Sequence, residues 1–219
     1  MRLLAAIFDM DGVLLDSTYI WNGLGERYLR SYGRDPEENL GARLRVMHMR
    51  DIAAYFRDAY KIPRTVDEII DELKDSVDEE YLYTAPAKPE VDKFLALLKM
   101  NGVTMYVATA TDKQLAEAAL KRTGLLHYFK GIMTCAEAGA SKTSPKIYEK
   151  CLTRLHCDKQ HCVVFEDSLH AIRTAKEAGF RVAAIYDDNS VKVQDEIQSL
   201  ADYWFWSYDD WFRQGGKIG

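Results

Sequence analysis

The stretch AAIFDMDGVLLDS, residues 5–17, sets two carboxylates, Asp9 and Asp11, at the end of an apolar run and follows them with Gly12. Like charges this close repel each other, and burying either carboxylate is costly unless it is paired or bound to a metal ion. Glycine allows the chain to turn sharply directly after the acids. The stretch therefore predicts a buried strand that ends in a site where a cation and a substrate offset this cost.

Length and composition predict a globular protein with one large domain, or with one domain that carries a smaller insertion. The chain has 219 residues, of which 47% are apolar and 29% charged, and its net charge is −5. These values, and the lack of a basic stripe in the sequence, argue against nucleic acid and anionic membranes as partners. No apolar run reaches the ~18 residues of a membrane span, and the N-terminal segment is more typical of a strand than of a secretory signal. We therefore expect a cytoplasmic protein, monomeric or weakly dimeric, that binds a small molecule.

The cysteine pattern favours free thiols over a disulfide framework or a zinc site. The four cysteines are Cys135, Cys151, Cys157 and Cys162. Two histidines lie near them in the sequence, but a zinc site needs four converging ligands, and the CxxC spacing is missing. We expect buried or half-buried thiols.

From residue 86 onward, apolar β-rich runs alternate with helical patterns. Together with the first run, strands are predicted at residues 3–9, 103–110, 131–135, 162–167, 181–187 and 203–207. Helices are predicted between them, at residues 112–124, 144–155 and 168–179. Strands with nearly continuous apolar character are typical of a parallel sheet covered on both faces. The fold class predicted is therefore α/β, a doubly wound parallel sheet.

A helical block interrupts this alternation between the first and second strands. Residues 17 to about 84 have helical patterns throughout, and a block in this place suggests an inserted cap domain. The predicted domains are a core of residues 1–16 and 86–219 and a helical cap of residues 17–85.

The predicted strand ends are unusually polar. In doubly wound sheets, ligands bind at the carboxyl ends of the strands. The residues at or just beyond these ends are Asp9, Asp11, Thr109, Lys142, Glu166 and Asp167. Each alone has an ordinary explanation; Asp167, for example, could cap the helix that follows it. Their coincidence at one edge of the sheet predicts a functional site.

Four motifs resemble those of the haloacid dehalogenase-like superfamily, in particular its phosphatase and phosphomutase branch. DMDGVLLDS is similar to the first motif of that family, a DxDGxxxDS pattern, and FEDSLHAIRTAKEAG is similar to the fourth. Thr109 in VATAT and Lys142 in SKTSPKIY match the second and third motifs. The resemblance covers essentially the whole chain and implies a Rossmann-like core with a helical cap.

The resemblance also implies roles for the residues at the strand ends. Asp9 would be the nucleophile that forms an aspartyl-phosphate, and Asp11 the general acid and base. Thr109 and Lys142 would bind the phosphoryl group and offset its charge. The cofactor implied is Mg²⁺, with the ligands Asp9, Asp11 through its backbone carbonyl, Glu166 and Asp167. Backbone N–H groups would assist in substrate binding at Gly12, Ala110 and Thr111.

Two departures from the family pattern leave alternatives open. The third motif is SKTSP rather than GKPxP, so Lys146 is a rival to Lys142; we favour Lys142 because a loop residue can reach the strand ends. In the cap, Arg45 and His48 are candidates for an anionic substrate, although they could equally form the solvated face of a helix. They lie in LGARLRVMHMRD (40–51), which has no clean match to the KGxSR-like segment of β-phosphoglucomutases.

The function predicted is that of a Mg²⁺-dependent phosphatase acting on a small phosphorylated metabolite. The runner-up is a sugar phosphomutase of the β-phosphoglucomutase type, in which a sugar hydroxyl rather than water accepts the phosphoryl group. A third possibility is a non-catalytic module that binds phosphate. The intact set of strand-end residues argues against this third alternative.

Overall fold

A computed structural model describes residues 2–44 and 47–214 of the chain. The described chain separates into two compact units. One unit extends up to Ser17 and resumes at Ala85, and the other comprises Thr18–Thr84. The assignment of the second unit as a cap domain stays a prediction.

The first unit is built on a six-stranded parallel sheet. Its strands are β1 (Ala5–Phe8), β2 (Thr104–Thr109), β3 (Phe129–Thr134), β4 (Cys162–Glu166), β5 (Arg181–Ile185) and β6 (Tyr203–Phe205). Their order across the sheet is β3-β2-β1-β4-β5-β6, and every neighbouring pair is parallel. The order reverses direction between β1 and β4, and ligands of such sheets bind beyond the carboxyl ends at this point. The predicted α/β class with a parallel sheet is confirmed.

Helices connect the strands and form the second unit. In the second unit they are α1 (Thr18–Trp21), α2 (Leu24–Ser31), α3 (Leu40–Leu44), α4 (Met49–Ala59) and α5 (Val66–Glu79), followed by a π-helical turn, Glu80–Thr84. In the first unit they are α6 (Val91–Met100), α7 (Lys113–Arg122), α8 (Cys135–Ala138), α9 (Lys146–Leu155), α10 (Leu169–Glu177), α11 (Gln194–Leu200) and α12 (Tyr208–Arg213). Short 3₁₀ turns occur at Leu126–Tyr128, Lys159–His161 and Asp188–Val193. In the described residues, no helix has both the length and the apolar character of a membrane span.

The central strands are buried because alternate residues point to two covered faces. On one face Ile7 and Val164 pack in a core with residues of α9 and α10. On the other face Phe8 stacks on Phe165 with 4.2 Å between ring centroids, and Phe94 of α6 meets Phe165 edge-on at 5.5 Å. A buried side chain of this size contributes roughly 1.5–3 kcal/mol to the free energy of folding. The four cysteines are free, and those of α9 and β4 are buried in this core.

The helical unit is held by apolar contacts and by a well-capped helix. Gly25 of α2 allows close packing, because a Cβ atom there would lie 2.3 Å from Leu44 Cδ1. Helix α5 begins with a capping box in which Thr65 and Glu68 exchange hydrogen bonds. Such a cap stabilises a helix by about 1 kcal/mol.

The two segments that lead from the first unit to the helical insertion run side by side. The N–H of Asp16 donates to the carbonyl of Pro86, and the N–H of Lys88 donates to the carbonyl of Leu14, each at 2.9 Å. This short antiparallel pairing follows directly after the carboxylates at the end of β1. It ties the chain beyond Asp9 to the chain that resumes after the insertion.

Candidate active site

The sheet register brings the first carboxylate beside the acidic end of β4. Phe8 of β1 lies opposite Phe165 of β4, so the next residues, Asp9 and Glu166, are neighbours. The N–H of Asp9 continues the ladder by donating to the carbonyl of Phe165 at 2.9 Å. The two apolar strands therefore end at the same level, and Asp9 and Glu166 lie side by side at the carboxyl ends of the strands.

Three carboxylates form one buried cluster at this edge. Asp9, Glu166 and Asp167 each offer a carboxylate oxygen, and the three oxygens lie within 4.8 Å of one another. Their residues are only 7%, 0% and 6% exposed, respectively. Burying several like charges together is strongly unfavourable unless cations compensate them.

Lys142 supplies one compensating charge from the loop before α9. It is 7% exposed, its Nζ forms a salt bridge with Asp9 Oδ1, and it donates to Glu166 Oε1 at 2.8 Å. Burial alone would lower the pKa of Lys142, but the adjacent Asp9 and Glu166 carboxylates outweigh it and raise the pKa, so the side chain stays an ammonium. Its rival Lys146 is exposed at the first position of α9.

Negative charge still exceeds positive charge in the cluster. Burial, followed by the Glu166 charge, raises the pKa of Asp9 well above its usual range. Burial and then the Glu166 and Asp187 charges raise the pKa of Asp167 to about 8. Among the described residues, no side chain donates a hydrogen bond to the Asp167 carboxylate or forms a salt bridge with it. A buried set of hard oxygen donors with an uncompensated carboxylate fits a divalent cation such as Mg²⁺.

Asp11 lies apart from this cluster and is held by hydroxyl groups. Ser17 Oγ donates to Asp11 Oδ1 at 2.5 Å, and Thr111 Oγ1 donates to Asp11 Oδ2 at 2.8 Å. Between Asp11 and Ser17 the chain turns at Gly12, whose φ of +77° suits glycine. Asp11 is half-buried, and these two hydrogen bonds hold its carboxylate in one orientation.

Three of the residues predicted to bind substrate, Thr109, Ala110 and Thr111, lie at or just beyond the end of β2. Thr109 is fully buried, and its hydroxyl accepts a hydrogen bond from the N–H of Thr111 at 3.0 Å, while Ala110 between them is exposed. The N–H of Gly12 donates to the carbonyl of Leu15 at 2.9 Å. The N–H groups of Gly12 and Thr111 thus donate within the protein, and substrate binding through them stays a prediction.

The two candidates from the helical block remain predictions. Arg45 lies outside the described residues. His48 is exposed and precedes α4 as its N-cap residue, with an extended backbone and no capping hydrogen bond from its side chain.

Several supporting contacts were not predicted from the sequence. Tyr148 donates to Glu166 Oε1 at 2.8 Å, and Ser190 Oγ donates to the carbonyl of Asp167 at 2.9 Å. Asp187 is buried beyond β5 and accepts a hydrogen bond from Lys88 Nζ at 3.1 Å. Asp187 was within reach of sequence reasoning, because it ends the predicted strand 181–187. Ser17 is likewise part of the quoted first motif.

Comparisons with known proteins identify a matching sequence family and related proteins. The sequence profile described as "Haloacid dehalogenase-like hydrolase" matches residues 6–185. The chain is 30% identical over 189 residues to Hexitol phosphatase B of Escherichia coli, covering 82% of each chain. It is 29% identical over 175 residues to the Phosphorylated carbohydrates phosphatase of Thermotoga maritima, covering 80% of this chain and 81% of that protein. A crystal structure described as "putative beta-phosphoglucomutase from Thermotoga maritima" superposes with a TM-score of 0.80 at 26% identity, covering 93% of this chain and 94% of that one.

Proposed function

Because this chain belongs to the haloacid dehalogenase-like hydrolases, we propose that it is a Mg²⁺-dependent phosphatase for a small phosphorylated metabolite. The single observation that carries the proposal is the buried contact of the Asp9 carboxylate with Lys142, beside Glu166 and Asp167. The names of two relatives, a phosphorylated carbohydrates phosphatase and a hexitol phosphatase, make sugar and sugar-alcohol phosphates the first substrates to test.

In the first step, a carboxylate oxygen of Asp9 attacks the phosphorus atom of the substrate. A bond forms between that oxygen and phosphorus, and the bond from phosphorus to the ester oxygen breaks. The leaving oxygen takes the proton carried by the Asp11 carboxyl. Lys142, which touches Asp9, lowers the repulsion between this carboxylate and the anionic phosphoryl group.

In the second step, a water molecule hydrolyses the aspartyl-phosphate. Asp11, now a carboxylate, takes a proton from the water as its oxygen attacks phosphorus, and the bond from phosphorus to Asp9 breaks. Inorganic phosphate leaves, Asp9 is again a carboxylate, and Asp11 again carries its proton. The hydroxyls of Ser17 and Thr111 support this role because they hold the Asp11 carboxyl in one orientation.

The metal would be held by Asp9, Asp167 and the backbone carbonyl of Asp11, with Glu166 contributing directly or through water. When bound, it neutralises charge on the phosphoryl oxygens and helps to orient the substrate. The carboxylate surplus of the cluster supports this assignment, and so does the general use of a divalent ion by the family.

A phosphomutase of the β-phosphoglucomutase type is the second candidate. It is supported by the name of the Thermotoga maritima protein whose structure superposes with a TM-score of 0.80. In this reaction a sugar hydroxyl takes the place of water in the second step. Residues 40–51 lack the segment typical of those mutases, which favours the hydrolase.

A phosphate-release screen with product analysis separates these functions. The panel contains hexose phosphates, hexitol phosphates and β-glucose 1-phosphate, each incubated with Mg²⁺ and the full chain. Release of inorganic phosphate without an isomerised sugar phosphate is expected. Isomerised product would make the chain a mutase. Phosphate release no greater than that of Asp9→Asn across the panel would contradict enzymatic function, and phosphate binding without turnover would favour the non-catalytic module.

A further inference from the structure

A second polar cavity opens at the outer edge of the sheet, beside the edge strand β3. Its volume is about 500 Å³, which falls in the range of small-molecule sites. The polar side chains that line it belong to β2, α7, β3, α8 and the end of α9: Tyr106, Lys113, Lys130, Glu137, Arg154 and His156. This set includes none of the residues assigned to the active site.

Two cations of this cavity have no salt-bridge partner among the residues that the structure describes. Lys130 and Arg154 are exposed, and in the part of the chain that the structure describes neither forms a salt bridge or a side-chain hydrogen bond. The acid of the cavity, Glu137, is already engaged, because it pairs with Lys113 Nζ at 2.5 Å and accepts from the N–H of Thr134 at 3.1 Å. The cavity therefore carries a positive charge surplus on a chain whose net charge is −5.

Tyr106 adds a hydrogen-bond donor to this positive surface. Its ring lies against Gly131 of β3, where an added Cβ atom would come within 2.7 Å of the phenolic oxygen. Within the described residues, the Tyr106 hydroxyl makes no hydrogen bond. Any side chain larger than that of glycine at position 131 would push the phenol away, so the glycine preserves a donor beside Lys130.

We propose that this cavity is a second, non-catalytic site that binds a small molecule carrying two or more phosphate groups. The guanidinium of Arg154 can bind a phosphate through two parallel hydrogen bonds, and Lys130 offers a point charge from a different element. Two cations on different elements suit a ligand with more than one anionic group. The volume accommodates a metabolite of that kind, whereas a nucleic acid would require a longer basic surface.

Anion binding at the β3-edge cavity can be distinguished from binding at the active site because the two sites differ in charge. Without a divalent cation, the active-site cluster holds the carboxylates of Asp9, Glu166 and Asp167 against the single ammonium of Lys142. Without the metal, this cluster therefore offers an anion only one cation, Lys142. The β3-edge cavity has a positive surplus that does not depend on a metal, so binding in EDTA that Arg154→Gln and Lys130→Gln weaken reports on this cavity.

The test is calorimetric titration of the full chain with inorganic tripolyphosphate in EDTA at low ionic strength. We expect binding at one site, and weakening of about tenfold for both Arg154→Gln and Lys130→Gln, the loss typical of one charged hydrogen bond. The matched control is Arg34→Gln, which removes an exposed positive charge from the helical unit and should leave the affinity unchanged. Hydrolysis of a monoester substrate by Arg154→Gln should match the wild type, so the result is independent of the proposed function.

Three outcomes would overturn the proposal. The first is that the wild type does not bind tripolyphosphate in EDTA, in which case Lys130 serves only to protect an edge strand from pairing. The second is equal weakening by Arg34→Gln, which would show attraction to overall charge. The third is binding that requires Mg²⁺ and is lost in Asp9→Asn, which would assign the anion to the active site.

Discussion

The surroundings of Asp9 disfavour the negative charge of its carboxylate. It is buried next to Glu166 and Asp167, and Lys142 is its only salt-bridge partner among the described residues. Natural proteins retain such unfavourable clusters at sites where ligands complete them, because activity and stability make different demands. The unfavourable burial of the Asp9 carboxylate therefore indicates a functional site. Single substitutions can measure its effect on stability and activity.

Asp9→Asn should abolish turnover and leave the fold intact. The amide cannot form the aspartyl-phosphate, so kcat should fall by a factor on the order of 10⁴ or more. Removing one of three clustered negative charges relieves repulsion, so in EDTA the melting temperature should equal or exceed that of the wild type. Phosphate release and differential scanning fluorimetry measure the two effects. The exposed Asp195→Asn is the control, and retained activity in Asp9→Asn would contradict the nucleophile assignment.

Lys142→Met and Lys146→Met form a matched pair that tests the third motif. Lys142→Met leaves Asp9 and Glu166 without their buried cation, so the free energy of unfolding should fall by about 3 kcal/mol and activity should be lost. Lys146→Met changes an exposed side chain and should stay within about 0.5 kcal/mol of the wild type, with full activity. Urea denaturation and phosphate release measure these differences. An inactive Lys146→Met beside an active Lys142→Met would reverse the assignment.

Tyr148→Phe tests a residue that acts through Glu166. The substitution removes one hydroxyl from a buried ring and with it a hydrogen bond to Glu166 Oε1. Loss of such support typically weakens metal affinity by about 10–100-fold, and we expect an effect in this range for Mg²⁺ by calorimetry. Tyr128→Phe is the control, because it also removes a hydrogen bond to a carboxylate, that of Asp92, at 2.7 Å. Equal Mg²⁺ affinity in all three proteins would rule out a positioning role for Tyr148.

At the scale of elements, the strands were predictable and their side-chain partners were not. The apolar runs predicted β4 at residues 162–167, and the structure has Cys162–Glu166, because burial on both faces leaves a continuous apolar signal. The sheet order and the hydrogen bond from Thr111 to Asp11 have no such signal. Those two residues are 100 positions apart in the sequence, and only the register of β1 and β2 brings their strand ends together.

In the helical unit, the side chain of Glu72 links α5 to neighbouring elements. Its carboxylate accepts hydrogen bonds from the hydroxyls of Tyr28 and Tyr32 at 2.6 and 2.7 Å and from Arg64 Nε at 2.7 Å. Burial alone would raise the pKa of Glu72, but these three donors outweigh it and lower the pKa. One carboxylate thus joins α5 to α2 and to the segment that precedes α5.

Glu72→Gln should destabilise the helical unit in a pH-dependent way. Because folding lowers the pKa of Glu72, its contribution is present above the pKa of an unfolded glutamate, about 4.3, and is lost as the pH falls through the lower folded value. We expect Glu72→Gln to cost about 1 kcal/mol at pH 7 and the difference from the wild type to shrink steadily as the pH falls below the unfolded value. Thermal melts across this range measure it. The exposed Glu79→Gln on the same helix should show no difference, and a constant deficit in Glu72→Gln would contradict the linkage.

At the scale of the whole molecule, charge is distributed unevenly within the unit that contains the sheet. The strand ends concentrate buried carboxylates, whereas the β3 edge carries Lys130 and Arg154, which form no salt bridge in the described parts of the chain. The proposed cation and the proposed anion would therefore bind at separate places on the same unit. Each should stabilise the folded chain in proportion to its binding free energy, since neither finds an equivalent site in the unfolded chain.

Divalent-ion linkage makes the first of these effects measurable on the intact chain. A ligand that binds only the folded state at 100 times its Kd stabilises it by about 2.7 kcal/mol. Titration of the metal-free wild type with Mg²⁺ should therefore raise the melting temperature with a logarithmic dependence on concentration, and chelation should abolish both this shift and phosphate release. Asp167→Asn should lose the shift, because it removes a buried carboxylate with which no described side chain forms a salt bridge. The same shift in Asp167→Asn as in Asp195→Asn would mean that Mg²⁺ binds elsewhere, and the acidic cluster would then need another explanation.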